Sequence, residues 1–112
     1  MTLRFEQRGA VGVLTVTGQM TASNADRIRE EALMQFGNHE DVKCHVIDMA
    51  AVDFLDSSGL GVLVTLLKRL AEKGGRLRLA GLQKKVRVVF EITRMYKVFD
   101  IFETVDEALA KG

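Results

Sequence analysis

Two adjacent serines carry the hydroxyl groups that could do chemistry in this chain. Ser57 and Ser58 follow Asp56 and precede Gly59, and a second carboxylate, Asp53, lies slightly earlier. A serine hydroxyl can act as a nucleophile when a nearby base removes its proton, or it can accept a phosphoryl group from a kinase. The other residue types in the chain help to decide between these two chemistries.

Nucleophilic catalysis and nucleotide chemistry have little support in the sequence. Neither serine lies in a Gly-x-Ser-x-Gly segment, because leucine occupies position 55 and aspartate position 56. Two histidines could serve as a base, but we expect His39 to be solvated in a charged loop and His45 to be packed in a strand. The phosphate-binding sequence Gly-x-x-x-x-Gly-Lys-Ser/Thr is absent, and Gly59-Leu60-Gly61 lacks the third glycine of a dinucleotide fingerprint. We therefore predict that the chain is not an enzyme and holds no cofactor.

The composition excludes several other classes of protein. The chain has 112 residues, with 16 Lys and Arg against 15 Asp and Glu, and this balance argues against a nucleic-acid binder. Cys44 is the single cysteine, so an intramolecular disulfide and a cysteine-rich zinc site are excluded, and we predict no metal site. The start of the chain carries no apolar leader, and the longest apolar segment, Gly59–Leu67, is far shorter than the roughly 20 residues that span a bilayer. We expect a cytoplasmic protein without membrane insertion.

The serines stand at the start of the strongest predicted helix, which runs from about Ser57 to Lys73. A helical wheel places one apolar stripe toward the core and leaves Val62 on the opposite, mostly polar face. The stripe consists of Leu60, Leu63, Val64, Leu67, Leu70 and Ala71. Serine and aspartate before a helix most often act as caps, and Gly59 and Gly61 can simply permit close packing. The spacing by itself therefore leaves a purely structural role open.

A helix start is also an environment that tolerates a phosphoryl group. Free backbone N–H groups and the positive end of the helix dipole gather there. A phosphoryl group on Ser57 would add up to about two negative charges beside Asp56 and near Asp53. A partner that fits a neutral Ser57 would then meet electrostatic repulsion, so phosphorylation could act as a switch without a conformational change.

The remaining patterns predict a single α/β domain that spans residues 1–112. Strands alternate with helices, which indicates a parallel or mixed sheet covered by helices. We expect a mixed sheet of about four to five strands backed by about four α-helices. The predicted elements are a hairpin at 3–16, a loop at 18–23, a helix capped by Ser23 and ended by Gly37, a strand at 44–49, a loop with Asp53 and Asp56, the helix at 57–73, a strand at 76–79, a helix at 82–90, a short strand at 97–102 and a final helix with a capping box at Thr104.

The segment from Asp56 to Leu63 resembles the phosphorylation-site signature of the STAS family. It is similar in particular to the bacterial anti-sigma factor antagonists. The resemblance covers the whole chain and includes the hairpin, the Gly18 turn, Gly74-Gly75 and the closing segment Val98–Phe102. The first serine of the pair is the family's phosphoacceptor, which corresponds to Ser57. The family fold is a small α/β sandwich whose loop and helix start form the partner surface.

The resemblance implies a partner switch in which the domain itself performs no chemistry. The unphosphorylated antagonist binds an anti-sigma factor, usually a serine kinase with a histidine-kinase-like ATPase fold, and thereby releases the sigma factor. The kinase phosphorylates the acceptor serine, which ends the complex, and a phosphatase removes the phosphoryl group. We expect the partner surface to include Met20, Thr21, Phe54, Asp56, Ser58, Gly59 and Val62 around Ser57.

One segment departs from the family pattern. Members commonly carry Gly-Glu-Leu/Ile-Asp after the second strand, where this chain has Gly18-Gln19-Met20-Thr21. Both acidic residues are replaced, which leaves open an unusual partner with a more apolar contact surface formed by Met20, Phe54 and Val62. The alternative function is a non-catalytic scaffold subunit of a lipid ABC transporter or a signalling complex. The oligomeric state is not indicated by the sequence.

Overall fold

The computed structural model describes residues 2–111, which form six strands and four α-helices. Their order is β1 (Thr2–Arg8), β2 (Val11–Met20), α1 (Ala25–Asn38), β3 (Cys44–Asp48), β4 (Val52–Leu55), α2 (Ser57–Glu72), β5 (Arg76–Ala80), α3 (Lys84–Ile92), a 3-10 turn (Met95–Lys97), β6 (Asp100–Phe102) and α4 (Val105–Ala110). The prediction of a single α/β-type fold with a mixed sheet and four helices is confirmed, with six strands instead of four to five.

The strands form one mixed sheet in the order β1-β2-β3-β5-β6. β1 pairs antiparallel with β2, and the other pairs are parallel. β4 lies off this path and pairs with the far end of β2, where Met20 is opposite Leu55. The register shifts between Gly18 and Gln19, and Gly18 has a φ of 99°, a conformation that glycine adopts without the steric cost of a side chain. The glycine therefore allows β2 to change direction toward β4.

Both faces of the sheet are covered, which explains why the inner strands β3 and β5 are buried at nearly every position. On one face, Leu14 and Ile47 belong to the main core, to which α1, α2 and α3 contribute. On the other face, Val13 and Val46 pack with Ala108 of α4 in a smaller cluster. The final helix begins as predicted: the Thr104 hydroxyl accepts a hydrogen bond from the Glu107 N–H, at 3.1 Å.

Several local predictions are wrong. Gly18–Met20 is the end of β2 and not a loop, and Asp53 lies in β4, a strand that the sequence patterns did not reveal. Ser23 is not the cap of α1; the cap position is Asn24. The last strand is shorter than predicted, because a 3-10 turn occupies Met95–Lys97.

The buried face of α2 is also broader than the helical wheel indicated. Leu60, Leu63 and Leu70 are buried as predicted, but Ala71 is exposed. Gly59, Val62 and Leu66 are buried as well. Gly59 lies against Met20 of β2, and α1 packs against the side of α2 that carries Val62, which the wheel assigned to the polar face.

Candidate functional site

The carboxyl ends of β2 and β4 bring the start of α2 beside the loop that leads to α1. Met20 and Leu55 are the last residues of these two paired strands. The Asp56 N–H donates a hydrogen bond to the Met20 carbonyl oxygen, at 3.2 Å, which continues the pairing by one step. The loop after Met20 and the serine pair after Asp56 therefore emerge side by side.

The Asp56 carboxylate joins these two segments. Its Oδ1 accepts a hydrogen bond from the Gly59 N–H at 3.0 Å, and its Oδ2 accepts one from the Ala22 N–H at 3.1 Å. The bond from Gly59 is the largest cause that lowers the pKa of Asp56 below its ordinary value; desolvation opposes it, and the bond from Ala22 adds to it. Asp56 therefore caps α2 as an anion and holds the β2–α1 loop against the helix start.

Gly59 permits the close approach of α2 to the end of β2. A Cβ atom built on Gly59 would lie 2.3 Å from the Met20 carbonyl oxygen, a distance that no side chain can occupy. Gly59 is itself buried, so the prediction that it lines the contact surface is wrong. Its role in the structure is to position the helix start that carries Ser57.

Ser57 is the first residue of α2, and its side chain is exposed to solvent. Ser58 is partly buried beside it, and Asp53 is exposed on β4. Phe54 is 50% exposed, a large value for a phenylalanine, and lies on the same short strand. We call the exposed parts of Thr21, Asp53, Phe54, Ser57 and Ser58 the Ser57 surface.

Two residues predicted for this surface are instead part of the core. Met20 is 0% exposed, so the prediction that it supplies apolar contact area is wrong, and Val62 is 4% exposed and offers only the small part that borders a groove between α1 and α2. Met20 is buried because it continues β2, where a loop was expected. Val62 is buried because α1 covers its side of α2.

The β2–α1 loop is held by hydrogen bonds among its own residues. The Thr21 N–H donates to Asn24 Oδ1 at 3.0 Å, and Asn24 Nδ2 donates to the Gln19 carbonyl oxygen at 2.7 Å. The hydroxyl groups of Thr21 and Ser23 are 2.9 Å apart and share a hydrogen bond. Thr21 is partly exposed, as predicted, and the loop forms its fixed shape without a carboxylate at position 21.

A groove of about 350 Å³ runs between α1 and α2 next to Ser58. Two of its lining residues, Ser58 and Val62, were predicted to contact a partner. The other lining residues, which include Ala22, Asp26, Arg29, Gly61 and Thr65, were not. Asp26 and Arg29 form an ion pair at 3.1 Å on α1, whose spacing of three residues was a detectable signal. The other available signal was Gly61, a glycine inside a long helix.

Both histidines lie at the opposite end of the sheet from Ser57. His45 is paired with Gly12 near the start of β2, and eight residues of strand, about 26 Å, separate Gly12 from Met20. His39 stacks on Phe5 with ring centroids 4.1 Å apart, in the same region. Neither imidazole can act as a base for Ser57, which agrees with the sequence-based argument against nucleophilic catalysis.

Residues 2–111 contain neither a cluster suited to a metal ion nor a helix suited to crossing a membrane. No group of three or more His, Cys, Asp and Glu residues in that range is arranged to hold a metal ion. Within the same range, no helix combines the length and apolar character required to cross a bilayer.

The fold and the site define a class of small α/β domains that expose a serine at a helix start. The model of the STAS domain family matches residues 2–108, and the chain belongs to this family. It is 34% identical to the anti-sigma-B factor antagonist of Listeria monocytogenes over 77% of this chain and 74% of that protein. It is 26% identical to the anti-sigma F factor antagonist of Paenibacillus polymyxa over 99% and 96% of the two chains.

Solved structures lead to the same family. The crystal structure of an anti-sigma factor antagonist from Mycobacterium paratuberculosis superposes with a TM-score of 0.86 at 25% identity. The alignment covers 96% of this chain and 90% of that one. The fold predicted from the resemblance is therefore confirmed.

Proposed function

We propose that this chain is an anti-sigma factor antagonist that binds an anti-sigma factor through the Ser57 surface. The observation that carries the proposal is the exposed Ser57 hydroxyl at the start of α2, on a helix start fixed by Asp56. Relatives that carry the name of anti-sigma factor antagonist and align over most of the chain support it. The domain acts by binding and by losing its partner, and not by catalysis.

Phosphorylation of Ser57 is the proposed switch. The helix start already carries the Asp56 carboxylate, and Asp53 is exposed nearby, so a phosphoryl group would produce a locally acidic surface. An unpaired charge placed in a protein interface costs on the order of 1–3 kcal/mol, so we expect the affinity to fall several-fold at least. The proposed partners are an anti-sigma factor with serine kinase activity and a phosphatase, in the cytoplasm.

The test begins with Ser57→Ala as bait in native lysate and identification of the retained proteins by mass spectrometry. Recovery of an ATPase-fold serine kinase supports the proposal. Its affinity for the wild type, Ser57→Ala and Ser57→Asp is then measured by calorimetry. We expect Ser57→Ala to bind like the wild type and Ser57→Asp to bind at least several-fold more weakly, because only the latter adds a charge. Equal affinities of the two variants would refute the switch.

Ser58 provides an internal comparison for the site of modification, because it is adjacent to Ser57 but partly buried beside the groove between α1 and α2. Phosphate mapped on Ser57, and not on Ser58, after incubation with the recovered kinase and ATP is the second expected result. Phosphate on neither serine would contradict the proposed modification.

A scaffold function is the second candidate, and the Thr21 loop favours it. This loop holds its shape through Thr21, Asn24 and Gln19, without the acidic residues that the family pattern places there. Recovery of transporter or receptor components with the Ser57→Ala bait, together with unchanged binding of Ser57→Asp, would support the scaffold and reduce Ser57 to the first residue of a helix.

A further inference from the structure

A second exposed surface, which shares no residue with the Ser57 surface, covers the outside of α3 and the 3-10 turn. Four apolar side chains on it are between 42% and 77% exposed. They are Val88, Ile92, Tyr96 and Val98. We call these side chains and the charged residues between positions 84 and 98 the α3 surface. Exposed apolar side chains that are concentrated in one region of a small domain mark interaction sites, whereas singly scattered ones are common on any protein surface.

The α3 surface is also basic. Between positions 84 and 98 there are five cationic residues and one acidic residue, Glu91, although the whole chain has a net charge of only +1. The cations are Lys84, Lys85, Arg87, Arg94 and Lys97. Arg87 is 3.4 Å from Glu103 and forms an ion pair with it. Neither Lys84 nor Lys85 forms an ion pair with any of residues 2–111.

The position of Lys84 and Lys85 does not stabilise the helix that carries them. Lys84 and Lys85 are the first two residues of α3, where the helix dipole is positive and a positive charge is unfavourable. The side chain of Gln83, at the cap position, does not cap α3; its Nε2 donates to the Ala50 carbonyl oxygen at 2.8 Å. The lysines therefore add repulsion to an uncapped helix start, and a negative group from outside would relieve it.

Concave space adjoins the exposed apolar residues. A shallow depression of about 490 Å³, widely open to solvent, is lined by Gln83, Lys84, Lys85 and Val88. A groove of about 420 Å³ is lined by Arg87, Phe90, Glu91, Tyr96 and Ile101. Side chains of a protein partner can enter such a groove, whereas a bilayer surface contacts protruding groups and leaves grooves unfilled.

We propose that the α3 surface is a docking site for an acidic amphipathic helix of a protein partner. The apolar face of such a helix would cover Val88 and Ile92, and its carboxylates would lie opposite Lys84 and Lys85. A second copy of this chain is a poor occupant, because two equally basic α3 surfaces would face each other in a symmetric dimer. The proposed site is independent of the Ser57 switch.

The experiment uses the full chain, labelled with ¹⁵N, and a synthetic amphipathic peptide of about 18 residues, five helical turns, with leucine on one face and glutamate on the rest. We expect saturable shifts of amide signals in α3 and the 3-10 turn at low salt, and weaker binding as salt is added. The Ser57→Asp variant should bind the peptide as the wild type does. Absence of saturable shifts on the α3 surface would overturn the proposal.

Two sets of variants separate contact from bulk charge. Lys84→Glu/Lys85→Glu should weaken peptide binding at least about tenfold, because two attractive charges become repulsive. Lys68→Glu/Lys73→Glu makes the same change in net charge on exposed parts of α2 and its C-terminal end, and should change binding by less than about twofold. Ile92→Ser tests the apolar contribution without a change in charge. Equal effects of the two double variants would refute a specific site.

The same variants distinguish a protein partner from two other possible occupants of the α3 surface, a membrane and a second copy of this chain. Vesicles of phosphatidylglycerol and phosphatidylcholine that bind the chain through α3, when the peptide does not bind, would overturn the protein-partner proposal in favour of a membrane surface. Concentration-dependent dimerisation abolished by Ile92→Ser would overturn it in favour of a second copy. Loss of anti-sigma factor binding by Ser57→Asp bears on the proposed function and not on this site.

Discussion

Gly61 offers a sharp test of where a partner contacts this domain. It lies inside α2, is exposed and borders the groove next to Ser58. A Cβ atom built on Gly61 meets no other atom within 4 Å, in contrast to Gly59, where it would overlap the Met20 carbonyl oxygen. The isolated domain therefore does not require glycine at position 61. We infer that the missing side chain leaves room for a partner to approach the helix backbone.

The Gly61→Ala variant should shift stability and binding in opposite directions. Alanine in a helix interior is favoured over glycine by about 1 kcal/mol, so the free domain should be stabilised by about that amount. For a domain of this size, such a gain raises Tm by about 4 °C. A methyl group forced into a closely packed interface costs about 1–3 kcal/mol, which corresponds to an affinity loss of roughly five- to 150-fold.

Gly37→Ala is the matched control. Gly37 is also helical, in the last turn of α1, is also exposed and also has no atom within 4 Å of a built Cβ. We expect it to raise Tm slightly and to leave partner binding unchanged. Circular dichroism gives Tm, and calorimetry with the recovered anti-sigma factor gives the affinity. A stabilised Gly61→Ala variant that binds the anti-sigma factor like the wild type would refute a partner contact at position 61. A destabilised variant would refute the conclusion that the free domain has room for a side chain there.

Two further predictions concern the interior. Gly59→Ala should destabilise the domain by about 1–3 kcal/mol through overlap with the Met20 carbonyl oxygen, measured by urea unfolding; unchanged stability would contradict this. Burial, with a smaller contribution from His39, lowers the pKa of His45 to about 4, so the imidazole is neutral in the folded state and protonates on unfolding below about pH 6.5. Stability should therefore fall by up to about 3 kcal/mol between pH 6.5 and pH 4, and His45→Leu should lose this slope. Equal pH profiles of wild type and variant would exclude His45 as the cause.

Long periodic elements were predictable from the sequence, and short elements that depend on distant pairing were not. The helix α2 has 16 residues with a clear apolar period, so its existence and its start at Ser57 followed directly. The strand β4 has four residues, of which Asp53 and Phe54 are exposed, and it lacks an alternating pattern. Its formation depends on pairing with the end of β2, which no local signal announces.

The candidate site also has a part that was predictable from the sequence and a part that was not. The position of Ser57 at a helix start was predictable from its neighbours, but the environment of the residues around it was not. Val62 is buried because α1 packs on α2, and a helical wheel describes one helix in isolation. Gly59 and Gly61 lie two positions apart in the same helix, yet their roles differ. The difference comes from the Met20 carbonyl oxygen of β2, which lies against Gly59 and not against Gly61.

If Ser57 is phosphorylated as proposed, the geometry predicts a change in binding and an intact fold. Asp56 accepts hydrogen bonds from both Ala22 and Gly59, so the β2–α1 loop and the start of α2 are already one fixed unit. Ser57 is exposed, so water can solvate an added phosphoryl group and no buried contact has to break. The cost of the new charge arises when a partner covers it and removes that water. A fixed surface with an exposed acceptor therefore confines the effect of phosphorylation to the complex.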